Sequence, residues 1–169
     1  MLHTLRQFVW PTLITPGLYA PKLSLTAHDG RWVRSEDYLN QFICLLFFRE
    51  CNEQTASWLK EYESINALDD SHVFAITASK PETLRNFTNE HQLSMLMLYD
   101  PLAIDARRYG ASGRRFYCKD AVVCIGNTGT IEAALMGQAN LMDLNQARAD
   151  YLRETSLVQE NIFTLFYIF

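Results

Sequence analysis

Residues 121–135 read AVVCIGNTGTIEAAL. AVVCI is an apolar run of strand length, Asn127-Thr128-Gly129 supplies a tight turn, and TIEAAL runs back, so the pair reads as an antiparallel hairpin. A turn this short leaves no room for the helix that a parallel crossover requires. A doubly wound, flavodoxin-like sheet would need a helix where residues 126–130 hold only a turn, and a glycine-rich phosphate loop after its first parallel strand; the chain has neither.

Upstream, QFICLLFF (41–48) is a continuous apolar run, as expected of a central strand buried on both faces. It is followed by CNEQTASWLKEYESINAL (51–68), in which Thr55, Trp58, Leu59, Tyr62, Ile65 and Leu68 recur at helical spacing behind a capping Asn52. HVFAIT (72–77) is a second buried strand, so residues 41–77 form a βαβ unit. Pro81 opens a helix carrying Leu84 and Phe87; MLML (95–98) is a third strand, ended by the turn-forming Asp100-Pro101; AIDARRYG (103–110) is a short helix stopped by Gly110. Nearer the start, KLSLT (22–26) and RWV (31–33) flank Asp29-Gly30 as a hairpin, and Ser35 begins a helical turn. A closing helix over 138–158 places Leu141, Leu144, Ala147, Tyr151 and Leu152 on one face. The order predicts an α/β chain of thioredoxin-like fold, with a central mixed sheet flanked by helices and an N-terminal hairpin extension.

The length of 169 residues suits one domain. Residues 1–20, broken by Pro11, Pro16 and Gly17, read as an arm packing through Phe8, Val9 and Trp10; residues 21–158 form the domain; residues 159–169 are an apolar tail. Leaving that tail in water would cost about 1.5–3 kcal/mol for each large side chain. It either packs on its own domain or meets a homodimer partner, another protein or a membrane surface.

A net charge of −4, with fifteen Lys and Arg scattered along the chain, argues against a nucleic-acid partner. The opening MLHTLRQFVWPTLITPG lacks the unbroken apolar core of a secretory signal, and no stretch is apolar enough to span a bilayer, so the expected compartment is the cytoplasm. There the four cysteines stay reduced unless one is reactive. His3, His28, His72 and His91 show no ligand spacing, and neither a metal nor another cofactor is expected. Cys44 and Cys124 lie within apolar strand runs and read as small buried hydrophobes. Cys51, between Arg49-Glu50 and NEQT, reads as a partly exposed residue at a helix start, and both a reactive and a packing role stay open for it.

Four pieces then fall into a known pattern. APKLSLTAHDGRWVRSEDY (20–38), the run ending FFRE before Cys51, LMLYDPLAIDARRYG (96–110) and AVVCIGNTGTI (121–131) together resemble the alkyl hydroperoxide reductase and thiol-specific antioxidant family, the peroxiredoxins, over about residues 17–135. The resemblance implies a thiol-dependent peroxidase with Cys51 as nucleophile in the first turn of its helix. Unpaired amides and the positive end of the helix dipole would favour a thiolate there. It implies a peroxide or small-thiol substrate and a thioredoxin- or glutathione-type reductant. It also sets the loop carrying Cys118 against the Cys51 helix, so that a Cys51–Cys118 disulfide becomes the expected resolved state if the Cα atoms come within about 7 Å. Arg49 is the candidate cation for the thiolate.

The chain departs from the family at marked places. Cys44 and Phe48 stand where the family carries proline and threonine or serine, and Asp120 stands where it carries an arginine. There is no C-x-x-C, which argues against a disulfide reductase or isomerase. The rival to the peroxidase is a catalytically degenerate thioredoxin-fold binding or assembly module.

Overall fold

The structure, a computed structural model, describes residues 13–113 and 115–166, with side chains described as far as Ser156. Arm packing through Phe8, Val9 and Trp10, and the side chains of the apolar tail, lie outside the described residues. Among the described residues, seven strands form one sheet in the order β2-β1-β5-β4-β3-β6-β7. They are β1 Ser24–Ala27, β2 Trp32–Arg34, β3 Phe42–Phe47, β4 Ser71–Thr77, β5 Leu96–Tyr99, β6 Ala121–Ile125 and β7 Ile131–Met136. β4 runs parallel to β3 and β5, whereas β6 runs antiparallel to β3 and β7 antiparallel to β6. The sheet is therefore mixed, as the hairpin reading requires. At its turn the amide of Gly129 donates to the carbonyl of Gly126 at 2.9 Å, and Gly129 takes a φ of 79°, open to glycine without strain. The N-terminal hairpin joins the same sheet through β1, antiparallel to β5.

Alternation along β3 divides the interior into two cores. Ile43, Leu45 and Phe47 face one side with Phe74, Ile76, Leu98 and Val123, where Ala106, Tyr109 and Cys118 cover them. Cys44, Leu46 and Phe48 face the other with Val73, Ala75 and Met97, beneath Trp58, Leu59 and Tyr62. Those three belong to helix α1, Glu53–Tyr62, which continues as a tighter 3-10 turn over Glu63–Ala67. Helix α2, Pro81–His91, and helix α4, Leu141–Phe166, cover the same side through Leu84, Phe87 and Leu144. Trp58 Nε1 and the Tyr62 hydroxyl both donate to the carbonyl of Ala139 at 2.7 Å, which pins α1 to the approach of α4.

Helix α4 differs from the expected 138–158. It starts at Leu141 because Asn140 caps it, its side-chain oxygen accepting the amide of Asp143 at 2.8 Å. It runs to Phe166 because VQENIFTL holds no proline or glycine to stop it. Asp100 acts as the turn former read from the sequence. Fully buried, its carboxylate accepts the amides of Asp105 and Ala106 at 3.1 and 2.7 Å and so caps the short helix α3, Ile104–Arg108. Residues 13–20 run along the far edge of the sheet: the Gly17 amide donates to Ile131, and the Ala20 amide donates to Gly129, each at 2.9 Å.

A candidate active site around Cys51

β3 delivers the chain to the site. Beyond the strand the Phe48 amide still donates to the Ile76 carbonyl at 3.0 Å, so pairing with β4 persists until the chain turns into the loop Arg49–Cys51. Asn52 then caps α1, its side-chain oxygen accepting the amide of Thr55 at 2.9 Å. Cys51 therefore sits one residue outside the cap, not in the first turn of the helix as the family resemblance implies. The Asn52 cap expected from the sequence thus takes one of the amides that would favour a thiolate.

Cys51 is half-buried, packed against the α1-side core, with its Sγ 4.0 Å from the Ser79 hydroxyl. Burial pushes its thiol above the ordinary cysteine value, and the Ser79 hydroxyl pulls it part of the way back. The neutral thiol donates to Ser79; the thiolate would accept from it. Ser79 lies between β4 and α2, twenty-eight residues from Cys51 in sequence, and no local pattern marks it.

A chain of polar contacts fixes the loop. Asp120 Oδ1 accepts the amide of Arg49 at 2.9 Å, and its other oxygen accepts Gln138 Nε2 at 3.1 Å. The same Gln138 nitrogen donates to the buried Thr55 Oγ1 at 3.3 Å, inside α1. Asp120 thus occupies the family's arginine position as a brace for the backbone two residues ahead of Cys51. The sequence flagged that position as a departure, but its new task needed coordinates, because the partners come from 71 residues upstream and 18 downstream.

The Arg49 side chain has partners of its own. Its guanidinium lies 4.4 Å from the centroid of the Tyr117 ring, and its Nε is 3.4 Å from Glu50. Phe48, in the family's hydroxyl position, is fully buried and stacked on Phe87 with ring centroids 6.3 Å apart. Cys44 is fully buried directly opposite Cys124 across the β3–β6 pairing, and burial pushes its thiol well up.

The loop 111–120 does reach the Cys51 loop, through Tyr117 and Asp120. Cys118 itself turns inward. It is buried in the α3-side core, on the opposite face of the sheet from the core that Cys51 touches. There burial, followed by the nearby Asp100 carboxylate, pushes its thiol up to about 12, with the backbone of Ala78 pulling it part of the way back. All four cysteines are free thiols, and the two candidate sulfurs flank consecutive residues, Ala78 and Ser79. Among the described residues no group of His, Cys, Asp and Glu side chains is arranged to hold a metal ion. None of the described helices is long and apolar enough to cross a membrane.

Comparison with known proteins agrees with this geometry. The AhpC of Mycobacterium tuberculosis superposes with a TM-score of 0.71 at 14% sequence identity, covering 88% of this chain and 98% of that one. A peroxiredoxin-like protein from Aquifex aeolicus gives a TM-score of 0.68 at 12% identity, covering 84% and 90% of the two chains. A thiol peroxidase from Chromobacterium violaceum gives 0.64 at 16% identity, covering 88% of each. Identities this low establish the thioredoxin-like fold alone. No curated protein sequence matches the chain. The model of the AhpC/TSA family matches residues 16–134, which is most of the chain and includes β1 to β6, the Cys51 loop and Ser79. With the fold, the cysteine at the mouth of α1 and this match all in agreement, the chain belongs to the AhpC/TSA family.

Proposed function

We propose that the chain is a thiol-dependent peroxidase that works through Cys51. One observation supports the reading: in a chain of the AhpC/TSA family, Cys51 is the one cysteine that is not buried, and it lies at the mouth of α1 with the Ser79 hydroxyl 4.0 Å from its sulfur. As a thiolate, Cys51 attacks one oxygen of a peroxide; the S–O bond forms as the O–O bond breaks, and the departing oxygen takes a proton to leave as an alcohol or water. Ser79 donates to the thiolate before attack. Asp120 acts through the backbone, holding the Arg49 amide and hence the loop that presents Cys51.

The sulfenic acid left on Cys51 is condensed by a second thiol to a disulfide, with loss of water. A thioredoxin- or glutathione-type thiol reaches half-buried Cys51 from solvent. Cys118 takes this part only when the 111–119 loop opens to release it from the far core. Four free thiols suit a reducing compartment such as the cytoplasm. Segment 159–169, partly carried on the extension of α4, is where a homodimer or partner contact would form. The reading is tested by treating the native protein with one equivalent of hydrogen peroxide in the presence of a dimedone-type trap and mapping the adduct. The adduct is expected on Cys51; a protein that consumes the peroxide while labelled only at another cysteine would overturn the reading.

A further inference from the structure

The end of the sheet opposite Cys51 holds a cavity that the peroxidase reading does not use. Gln41 stands immediately before β3 and Cys51 beyond its far end, so the length of the strand separates the two. The cavity has a volume of about 380 Å³ and opens between residues 19–22 of the lead-in, the segment 35–41 and the β6–β7 turn at residues 125–129. Bonds within and between these walls hold them in place. The Ala20 amide donates to the Gly129 carbonyl at 2.9 Å, and the Gln41 amide donates to the Tyr38 carbonyl at 3.2 Å. The Tyr38 ring is set edge-on against His72 and Phe74, with centroids 4.6 and 5.1 Å away. The cavity is therefore built in advance rather than opened by a ligand.

Its lining sets the chemistry it takes. Tyr19, Pro21, Tyr38, Leu39, Ile43 and Ile125 make it largely apolar, and since roughly 150 Å³ already holds benzene, a two-ring molecule has room. Ser35, Ile43 and Ile125 also border a small void in the α3-side core, so the floor is apolar core. The charged side chains at the cavity, Lys22 and Glu36, are paired with each other and leave no uncompensated charge to attract an ion. Two polar groups lack a partner. Gln41 Oε1 is sealed from water with no hydrogen-bond donor among the described residues, and the Ser35 hydroxyl, which accepts the Leu23 amide at 3.0 Å, donates to none of them. A buried acceptor without a donor is costly, and a small turn of the Gln41 amide brings its oxygen to the cavity that the side chain borders. We infer that this cavity binds a small, neutral molecule with an apolar ring body and a hydroxyl that donates to the Gln41 side chain. A hydroxyl meets both needs, since it can donate to Gln41 and accept from Ser35. A ligand without a donor leaves the Gln41 oxygen unpaired, and an anion must shed its water in an apolar site that offers no free cation. The site stands whether or not Cys51 reacts with peroxide.

The test titrates the full chain, labelled with nitrogen-15, with 2-naphthol and with two matched probes: naphthalene, which lacks the hydroxyl, and 2-naphthoate, which carries a charge. 2-Naphthol is expected to shift the amide signals of Gln41, Gly126 and Gly129 with a Kd of about 0.1–1 mM, and the other two probes to bind at least about fivefold more weakly. In Gln41→Leu, 2-naphthol is expected to fall to the affinity of naphthalene, a loss of about fivefold, while thermal unfolding stays where it was or moves up because an unpaired polar group has gone. The comparison of the three probes on the unaltered chain stands by itself if that variant does not fold. No shift up to the solubility limit of 2-naphthol, equal affinity for the three probes, or undiminished 2-naphthol binding by a folded Gln41→Leu overturns the proposal. So does a ligand-free chain in which residues 1–12 or a second copy fill the cavity, read as nuclear Overhauser contacts from their side chains to the Tyr38 ring.

Discussion

Replacing Cys51 by serine is expected to lower dithiothreitol-driven peroxide consumption by on the order of 10³-fold or more, to the background of free thiol and peroxide. The size of the loss follows from the other three sulfurs. Cys44 and Cys124 are fully buried and face each other in the centre of the sheet. Cys118 is 1% exposed, and a thiol pushed up to about 12 is ionised in only roughly one molecule in 10⁵ at neutral pH. None can stand in for a half-buried cysteine at the mouth of α1, and a serine hydroxyl ionises too weakly to attack a peroxide. Initial rates of peroxide loss for the two proteins, with matched circular dichroism to show equal folding, check the prediction. Equal rates would remove Cys51 from the chemistry.

The second large effect is on stability. Phe48 stands where the family carries a hydroxyl, and Phe48→Thr restores that hydroxyl at the cost of the fold. The ring is fully buried against Phe87, with Leu46, Leu59 and Leu84 in the same core. Its removal leaves a void and buries a polar group, an expected loss of about 3–5 kcal/mol in urea unfolding. That is a large part of the roughly 5–15 kcal/mol that holds a domain of this size together. The peroxide rate is not expected to rise, since position 48 turns into the core. A variant that kept its stability and gained rate would show that the hydroxyl reaches the reacting atoms.

The two substitutions mark where sequence reading succeeds and where it stops. The fold was legible because each deciding signal is local: the AVVCIGNTGTI hairpin, the buried run before Cys51, and the spacing of Trp58, Leu59 and Tyr62 all lie within a few residues. Even the departures at Phe48 and Asp120 could be seen as departures. What replaced the lost functions was not legible. Asp120 braces the Arg49 amide across 71 residues, and Ser79 meets Cys51 across 28. Such contacts follow from strand order and leave no periodic trace. The same holds for Cys118: its loop was rightly brought beside the Cys51 loop, yet which face of the sheet its sulfur entered is decided by packing. The depression of the Cys51 thiol that the family resemblance implies is not found: with Asn52 as the cap, Cys51 lies one residue outside the helix, and burial outweighs the help of Ser79.

That balance fixes the pH dependence. A thiol whose folded-state value lies above the ordinary ~8.5 is mostly protonated at neutral pH, so thiolate, and with it peroxide attack, must increase as pH rises toward that value. The account is tested most directly by alkylating the native protein with iodoacetamide from pH 6 to pH 10.5 and following each cysteine by peptide mapping. It predicts that Cys51 alone is modified, along a curve whose midpoint lies above ~8.5 and moves higher still in Ser79→Ala. A midpoint near or below neutrality, or labelling that begins at Cys118, would contradict it.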